Sequence, residues 1–456
     1  MARGRGKKPK GPEQLRAQLM LQIAAGRYFR PGVALNEHLH RRTLHSNAWF
    51  ADEGPFELPV GKLTGGTERD EVSTAFVEAV DKLEAVRPDG SNDFMIATGG
   101  NELIDDIAYV LTFALNATFS RDGDAVRRLV PHEGTTGQRR SGAALFPRLF
   151  DPRLAVQPQE MQRAREFMSD LLQLGREDFA RVMRVIRRTV DATRRATDDP
   201  TGAYTDLIAA LESLGDKALA RPTTWERYDP KKRKRLDPVL GKLEPAVADE
   251  MRDALLDADQ AGAARQFVAS TLARISPEYY RMEATGARRP PRSADVEEML
   301  RVGYNIRSRR SHALEDLGQE AWVFSEGAEV AYASGFDRIF TLAGLWRLVR
   351  HVVRQYVATA PKVADEAWDY RMALPGIITA QLAPHLWVGK NLDASHALDR
   401  LNGVADALIA WQAGRRSVDM GFDLAQVAAT IEQVVPGMPD SDAKAALVAI
   451  HRLWHE

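Results

Sequence analysis

The chain has 456 residues, of which 44% are hydrophobic and 27% charged, and its formal net charge is −1. This length predicts about three domains, and the composition is that of an ordinary globular protein. The absence of cysteine excludes disulfides, cysteine-ligated zinc and a thiol nucleophile. A net charge near zero gives no overall attraction to nucleic acid, so any RNA-binding surface must be local. We expect a cytoplasmic protein, because we find neither a secretory signal nor a run of about 18 apolar residues.

The N-terminal third is predicted to be a mixed α/β region with a sensory or regulatory role. Residues 1–12 are basic and rich in glycine, and we expect a disordered tail there; the mixed region then covers 13–150. Turn residues separate short apolar runs that are typical of strands, such as 56–60, whereas 76–83 has the pattern of a helix. An amphipathic helix is predicted from about 101 to 119.

Three histidines in this region offer an alternative function. His38 and His40 are two residues apart, so they would share one face of a strand, and His45 follows closely. Histidine is a common metal ligand, but no acidic residue or fourth histidine completes the set at a familiar spacing. An exposed polar segment is therefore the favoured interpretation, and a metal-dependent enzyme is the weaker alternative.

The rest of the chain is predicted to be helical, with a helical domain at 151–361 and a helical extension at 362–456. Helical periodicity is clear in 161–174, 178–197 and 204–214. A long amphipathic helix is predicted from 337 to 358; we expect its His351 to lie at a surface or an interface. The extension contains no recognisable catalytic cluster.

A break at 221–238 carries three prolines and the basic residues Lys231, Lys232 and Arg233. As a loop beside a catalytic site, this run would guide an RNA backbone by displacing counterions. As a solvated linker, it would have no such role. The sequence leaves both interpretations open.

The sharpest signal lies near residue 307. A helix is predicted to begin at Ser293 and to present Tyr304, Arg307, Ser308 and, after three spacers, His312. A histidine can transfer a proton near neutral pH, and an arginine can bind a phosphoryl group with two hydrogen bonds. These are the groups that RNA cleavage without a metal requires.

This stretch resembles the HEPN superfamily, and within it the Apea-like branch, whose signature is an aromatic residue, then arginine, a small polar residue, spacers and histidine. Tyr304, Arg307, Ser308 and His312 match that signature, although Ala313 stands where glycine commonly follows the histidine. The resemblance covers at most 240–360. It implies a HEPN-like helical bundle, a homodimer or larger homo-oligomer with a shared cleft, and an endoribonuclease that acts without a metal or other cofactor.

The chemistry expected of these residues agrees with that implication. His312 would move the proton of the ribose 2′-hydroxyl, Arg307 would stabilise charge on the phosphoryl oxygens, and Ser308 would orient the pair. Tyr304 would bind substrate. Arg309 and Arg310 would either bind flanking phosphates or be solvated together with Glu315 and Asp316. The products would be a 2′,3′-cyclic phosphate and a 5′-hydroxyl.

Helical geometry limits how the pair can act. Five residues along an ideal helix correspond to about 500°, so the side chains of Arg307 and His312 would point about 140° apart. Either the helix bends near Ser308, or a second copy of the chain completes the site. A structural role, in which both residues pair with local acids and cap helix ends, is the simpler alternative.

The predicted function is metal-independent RNA cleavage, restrained at rest, and the resemblance implies a bacterial antiviral defence or toxin-type system. The expected partners are RNA, with tRNA as one candidate, a second copy of the chain and a regulatory protein, with no membrane. The alternative is a non-catalytic helical adaptor or sensor that uses its bundle for dimerisation or partner binding.

Overall fold

A computed structural model gives the fold of the chain. Contacts divide it into two compact units, Met1–Gly376 and Ile377–Glu456. The predicted boundary at residue 150 thus lies inside the first unit, and the predicted boundary at 361 lies near the division. The residues that the structure describes are 19–52, 54–66, 72–86, 100–130, 141–215, 224–228, 230–260, 263–322, 327–332, 338–364, 366, 368–371, 397–412 and 425–455.

The described residues are mostly helical, as predicted, and a small antiparallel sheet lies near the N-terminus, where a mixed α/β region was predicted. The strands are β1 (Leu35–Ser46), β2 (Ala48–Phe50), β3 (Phe56–Leu58), β4 (Gly61–Gly65), β5 (Ser73–Glu84), β6 (Phe119–Ser120), β7 (Leu154–Val156), β8 (Val330–Tyr332) and β9 (Arg338–Phe340). The helices of the first unit are α1 (Met20–Ala24), α2 (Gly100–Leu115), α3 (Gly123–Leu129), α4 (Gly142–Leu145), α5 (Pro158–Leu172), α6 (Arg176–Arg195), α7 (Pro200–Ser213), α8 (Pro230–Leu240), α9 (Pro245–Gln260), α10 (Ala263–Leu272), α11 (Pro277–Tyr280), α12 (Ser293–Ala313) and α13 (Leu342–Thr359).

The main sheet has the strand order β3-β4-β5-β1-β6, and its long central pair is β1 and β5. Along β5, Ala75, Val77 and Ala79 are buried while Phe76 between them is exposed. This alternation of period two is that of a strand with one face on the core. The predicted helix at 76–83 was therefore wrong: the segment is rich in apolar residues, but their burial follows the sheet rather than a helical stripe.

Helix α2 lies between the sheet and the helices, with contacts to β5, α5 and α6. Its C-terminus is held by α13: Trp346 Nε1 donates to Asn116 Oδ1 at 2.7 Å, and Arg350 and Arg354 donate to main-chain oxygens of the last turn. Asn116 has a φ of +54°, the left-handed conformation that commonly ends a helix. The N-terminal sheet and the helical part are thus packed into one unit.

The helical part is centred on α7, which packs against α6, α12 and α13, and α10 packs against both α7 and α12. The predicted surface or interface position of His351 on α13 was wrong, because this residue is fully buried. Its Nε2 accepts a hydrogen bond from the main-chain N–H of Ser276, and its Nδ1 lies 3.1 Å from Glu283. Polar contacts of this kind make burial of an imidazole tolerable.

The second unit contains α14 (Ala397–Gln412), α15 (Ala425–Val434) and α16 (Asp442–His455), close to the helices predicted at 395–414, 422–434 and 440–454. Its core is apolar and consists of Ala397, Val427, Ile431, Ala446, Leu447 and Ile450. The helix predicted at 365–383 lies mainly outside the described residues, as do residues 1–12. Of the helices that the structure describes, none is long and apolar enough to cross a membrane.

Candidate functional site

Helix α12 carries the predicted Arg–His pair and runs without a break from Ser293 to Ala313. It buries Val296, Leu300 and Gly303 against the rest of the unit. It ends at Leu314, whose φ of +56° is left-handed and whose N–H donates to the carbonyl of Arg310. The bend considered near Ser308 is therefore not present. Of the two ways in which Arg307 and His312 could act on one phosphate, only completion of the site by a second copy remains.

Arg307 faces α7. Its Nη1 lies 2.9 Å from Oε2 of Glu212, and both side chains are about three-quarters buried. The guanidinium is also 5.9 Å from the centre of the Tyr304 ring, which packs in turn against Phe267 at 5.8 Å. Tyr304 is thus a packing residue between α10 and α12 that also contacts Arg307. The position of Arg307 is fixed by an ion pair and an aromatic neighbour.

His312 lies on the last turn of α12 and is exposed. Arg309 and Arg310 pair with acids just beyond the helix, which is the second of the two alternatives: Arg309 with Glu315 at 3.6 Å and Arg310 with Asp316 at 3.0 Å. Arg310 also donates to the carbonyl of Leu314, which caps the helix end. Because these are solvent-exposed pairs, they are weak enough for a phosphate to displace.

Ser308 is half-buried, and within the described part of the chain no hydrogen bond joins it to Arg307 or His312. Neighbouring side chains on a helix do not face each other, so the predicted orienting role is not seen in a single copy. The same geometry separates Arg307 from His312 by about 140° around the helix axis. One chain alone therefore does not place both groups on one phosphate.

The basic run at 231–235 begins a helix, α8, rather than lying in a loop. Arg233 donates to the carbonyl of Glu226 and lies 3.6 Å from Asp237, and the Lys232 ammonium is 5.6 Å from the Tyr228 ring. The run is thus part of a helix rather than of a loop or a solvated linker, and two of its cations have partners within the chain. Its contact with RNA stays a prediction. The side chain of Lys231 lies outside the described residues.

The histidines of β1 do not converge. His38 and His40 share the face of Asp81, whereas His45 is on the opposite face, where its ring lies against Gly123. Asp81 is buried, and its Oδ2 is 3.9 Å from His40 Nε2. Burial raises the pKa of this carboxyl, although His40 and His38 act in the other direction. The three histidines do not form a metal site.

One cluster was missed by the sequence reasoning, which found nothing of the kind in residues 362–456. Glu432 on α15 and His451 and His455 on α16 bring three possible metal-ligand atoms to within 4.8 Å of one another. The available signal was the spacing of the two histidines, which are four residues apart on a predicted helix and so lie on one face.

With this geometry described, comparisons with known proteins assign no family. No family model matches the sequence, and no curated protein and no solved structure matches it either. The function proposed below therefore rests on the residues and geometry of this chain.

Proposed function

We propose that the chain is a HEPN-type, metal-independent endoribonuclease whose active site forms between two copies. The observation that supports this best is the exposed end of α12, where His312 is accessible next to Arg309 and Arg310. A second copy that docks here by two-fold symmetry brings its own Arg307 towards this His312, and the reverse. The dimer then contains two sites, each with Arg307 from one copy and His312 from the other.

The reaction uses no group beyond the side chains and RNA. One His312 accepts the proton of the ribose 2′-hydroxyl while that oxygen attacks the adjacent phosphorus. The bond from phosphorus to the 5′-oxygen breaks, and the same His312, now protonated, donates that proton to the leaving oxygen. Arg307 stabilises the negative charge on the phosphoryl oxygens. The products are a 2′,3′-cyclic phosphate and a 5′-hydroxyl.

The test compares wild type with Arg307→Ala, His312→Ala and a matched control, Arg301→Ala. Arg301 lies on the same helix and is exposed in a pair with Glu297, so its loss tests the effect of removing any α12 arginine. Each protein is incubated in EDTA with tRNA and with single-stranded RNA, and the product ends are mapped. Cleavage to cyclic phosphates by wild type and Arg301→Ala, with loss of at least about a hundredfold in the other two, supports the proposal.

Two outcomes contradict it. Cleavage that EDTA abolishes indicates a metal-dependent nuclease elsewhere. Full activity of His312→Ala would show that His312 does not carry the proton in the reaction.

A second function, that of a non-catalytic helical adaptor, is favoured by one observation. Arg307 already has a carboxylate partner in Glu212, and Arg310 caps its own helix, which are structural roles. On this hypothesis, no variant cleaves RNA, and His312→Ala leaves the oligomeric state unchanged. Cleavage of RNA by wild type distinguishes the two functions, and sedimentation of wild type and His312→Ala shows whether a lost activity reflects lost assembly.

A further inference from the structure

The C-terminal unit contains a group of side chains with the chemistry of a transition-metal site. His451 and His455 lie one turn apart on α16, with ring centres 4.5 Å apart. Glu432 on α15 reaches the same place, with its Oε1 2.9 Å from Nε2 of His451. One ligand atom from each residue lies within 4.8 Å of the other two, a separation that a single ion can bridge with small side-chain rotations.

The backbone that carries these ligands is fixed by the core of this unit. Ile431 directly precedes Glu432, Ile450 directly precedes His451, and both isoleucines are almost fully buried. The ligands themselves are at the rim, where Glu432 and His455 are exposed and His451 is half-buried. An ion can therefore enter from solvent without any rearrangement of the helices.

A simpler interpretation is that His451 and Glu432 form a surface hydrogen bond. That interpretation accounts for one contact, but it leaves unexplained why the His455 ring lies beside the His451 ring, with the two rings tilted by 55°. An ion accounts for all three residues. Two neutral imidazoles and one carboxylate are the donor set typical of zinc sites that keep a fourth position for water. Hard ions such as Mg²⁺ and Ca²⁺ prefer oxygen ligands alone.

We propose that Glu432, His451 and His455 bind one Zn²⁺ ion, with a fourth position open to solvent. The ion links α15 to α16 and so stabilises the C-terminal unit. This proposal is independent of the ribonuclease proposal, since none of the three residues belongs to the first unit and RNA cleavage is assayed in EDTA.

The test uses the full chain, stripped of metal with a chelator that is then removed. Zinc chloride is titrated into wild type, His451→Gln, His455→Gln and His38→Gln, the last being a control histidine that is exposed on β1. We expect one ion per chain in wild type and the control, and affinity at least about tenfold lower in the other two variants. Equal zinc affinity in all four proteins, or no binding by wild type, overturns the proposal.

Cobalt(II) provides a second measurement that does not depend on affinity alone. In a four-coordinate site with nitrogen and oxygen ligands, this ion gives visible absorption bands stronger than those of the hydrated ion. Wild type and His38→Gln are expected to show these bands, and Glu432→Gln to show them weakened or shifted. Circular dichroism of each variant establishes that the helices are intact, so that lost binding is not lost folding. A spectrum of hydrated cobalt with folded wild type contradicts the proposal.

Discussion

Arg307 is the residue on which the proposed reaction depends most directly, and it is already paired. Its contact with Glu212 at 2.9 Å occupies the guanidinium with a carboxylate that competes with phosphate. We therefore predict that Glu212→Gln, which removes the competing charge and keeps the side-chain volume, raises RNA cleavage several-fold. Initial rates on a single-stranded RNA are the measurement.

Glu297→Gln is the matched control for that variant, because Glu297 pairs with Arg301 on the exposed face of the same helix. Its rate should equal that of wild type. A rate that falls in Glu212→Gln would show that the carboxylate positions Arg307 for the reaction rather than restraining it.

Glu84, at the end of β5, is a buried carboxylate whose contribution to the stability of the fold depends on pH. Its side chain is 1% exposed and binds Arg30 and Arg371. Burial alone raises the pKa of this carboxyl, but hydrogen bonds from Arg30 and Arg371 outweigh burial, and the net pKa lies below its ordinary value. The native state therefore holds fewer protons than the unfolded state as the pH falls, so the contribution of Glu84 is present above about pH 4.5 and is lost below it.

We predict that Glu84→Gln lowers the free energy of unfolding by about 3 kcal/mol at neutral pH, because two arginines lose their buried partner. Between about pH 5 and about pH 3, its unfolding free energy should fall less steeply than that of wild type. Urea unfolding across this range measures both effects. Glu37→Gln, which disrupts an exposed pair with Lys82, is the control and should change stability by less than about 1 kcal/mol. A parallel loss of stability in wild type and Glu84→Gln at low pH would contradict the prediction.

The sequence predicted the relative positions of site residues that lie on one helix, but not their contacts with other helices. Helical periodicity placed Arg307 and His312 on different sides of α12, and the structure agrees. The partner of Arg307 could not be predicted, because Glu212 lies on α7 and is brought there by packing between helices distant in sequence. Gly303 is part of that packing: a Cβ there would lie 2.9 Å from Ile208 on α7.

At the scale of elements, α13 shows what periodicity predicts and what it misses. The amphipathic helix predicted at 337–358 requires one buried apolar face, and Leu345, Val349 and Val352 on that face are buried. The pattern does not say what the polar side contacts: Arg350 and Arg354 on that side donate to the C-terminal carbonyls of α2. A polar helix face can lie against solvent or against the C-terminus of another helix, because water and free main-chain carbonyls both accept hydrogen bonds from a guanidinium. The sequence pattern is the same in the two cases.

The contact between α13 and the C-terminus of α2 gives a prediction in which two arginines can be compared. Arg350 donates to the carbonyls of Phe113 and Ala114, whereas Arg354 donates only to that of Ala114. Arg350→Met should therefore lower the free energy of unfolding by about 2 kcal/mol, because the Phe113 carbonyl loses this donor, and Arg354→Met should cost about half as much. Methionine retains most of the aliphatic volume in both. Urea unfolding of the two variants measures the difference, and equal costs would show that the carbonyl contacts do not determine it.

At the scale of the whole molecule, the sequence predicted a mixed N-terminal region, a helical part and a helical C-terminal extension. It did not predict that the first two form one compact unit. The compact unit depends on long-range contacts such as those between α13 and the C-terminus of α2, whose residues are more than 200 positions apart. Local periodicity cannot predict such contacts, because it reports only on residues that are close in sequence.

The proposed active site is a property of two molecules, and this gives the last prediction. Arg307→Ala and His312→Ala each lack one half of every site in their homodimers. In a mixed dimer, one site lacks both residues and the other has both, Arg307 from one copy and His312 from its partner. Random exchange makes about half of the dimers mixed, each with one of two sites intact, so an equal mixture should recover about a quarter of the wild-type rate.

The measurement is RNA cleavage after the two inactive variants are mixed, and after partial unfolding and refolding together if exchange is slow. Each variant alone, treated in the same way, is the control. Recovery would assign Arg307 and His312 to opposite copies, because no other pairing restores a complete site. If the mixture stays inactive although an affinity tag on one variant co-purifies the other, both groups must act within one copy. The unbroken helix between them would then have to bend during the reaction.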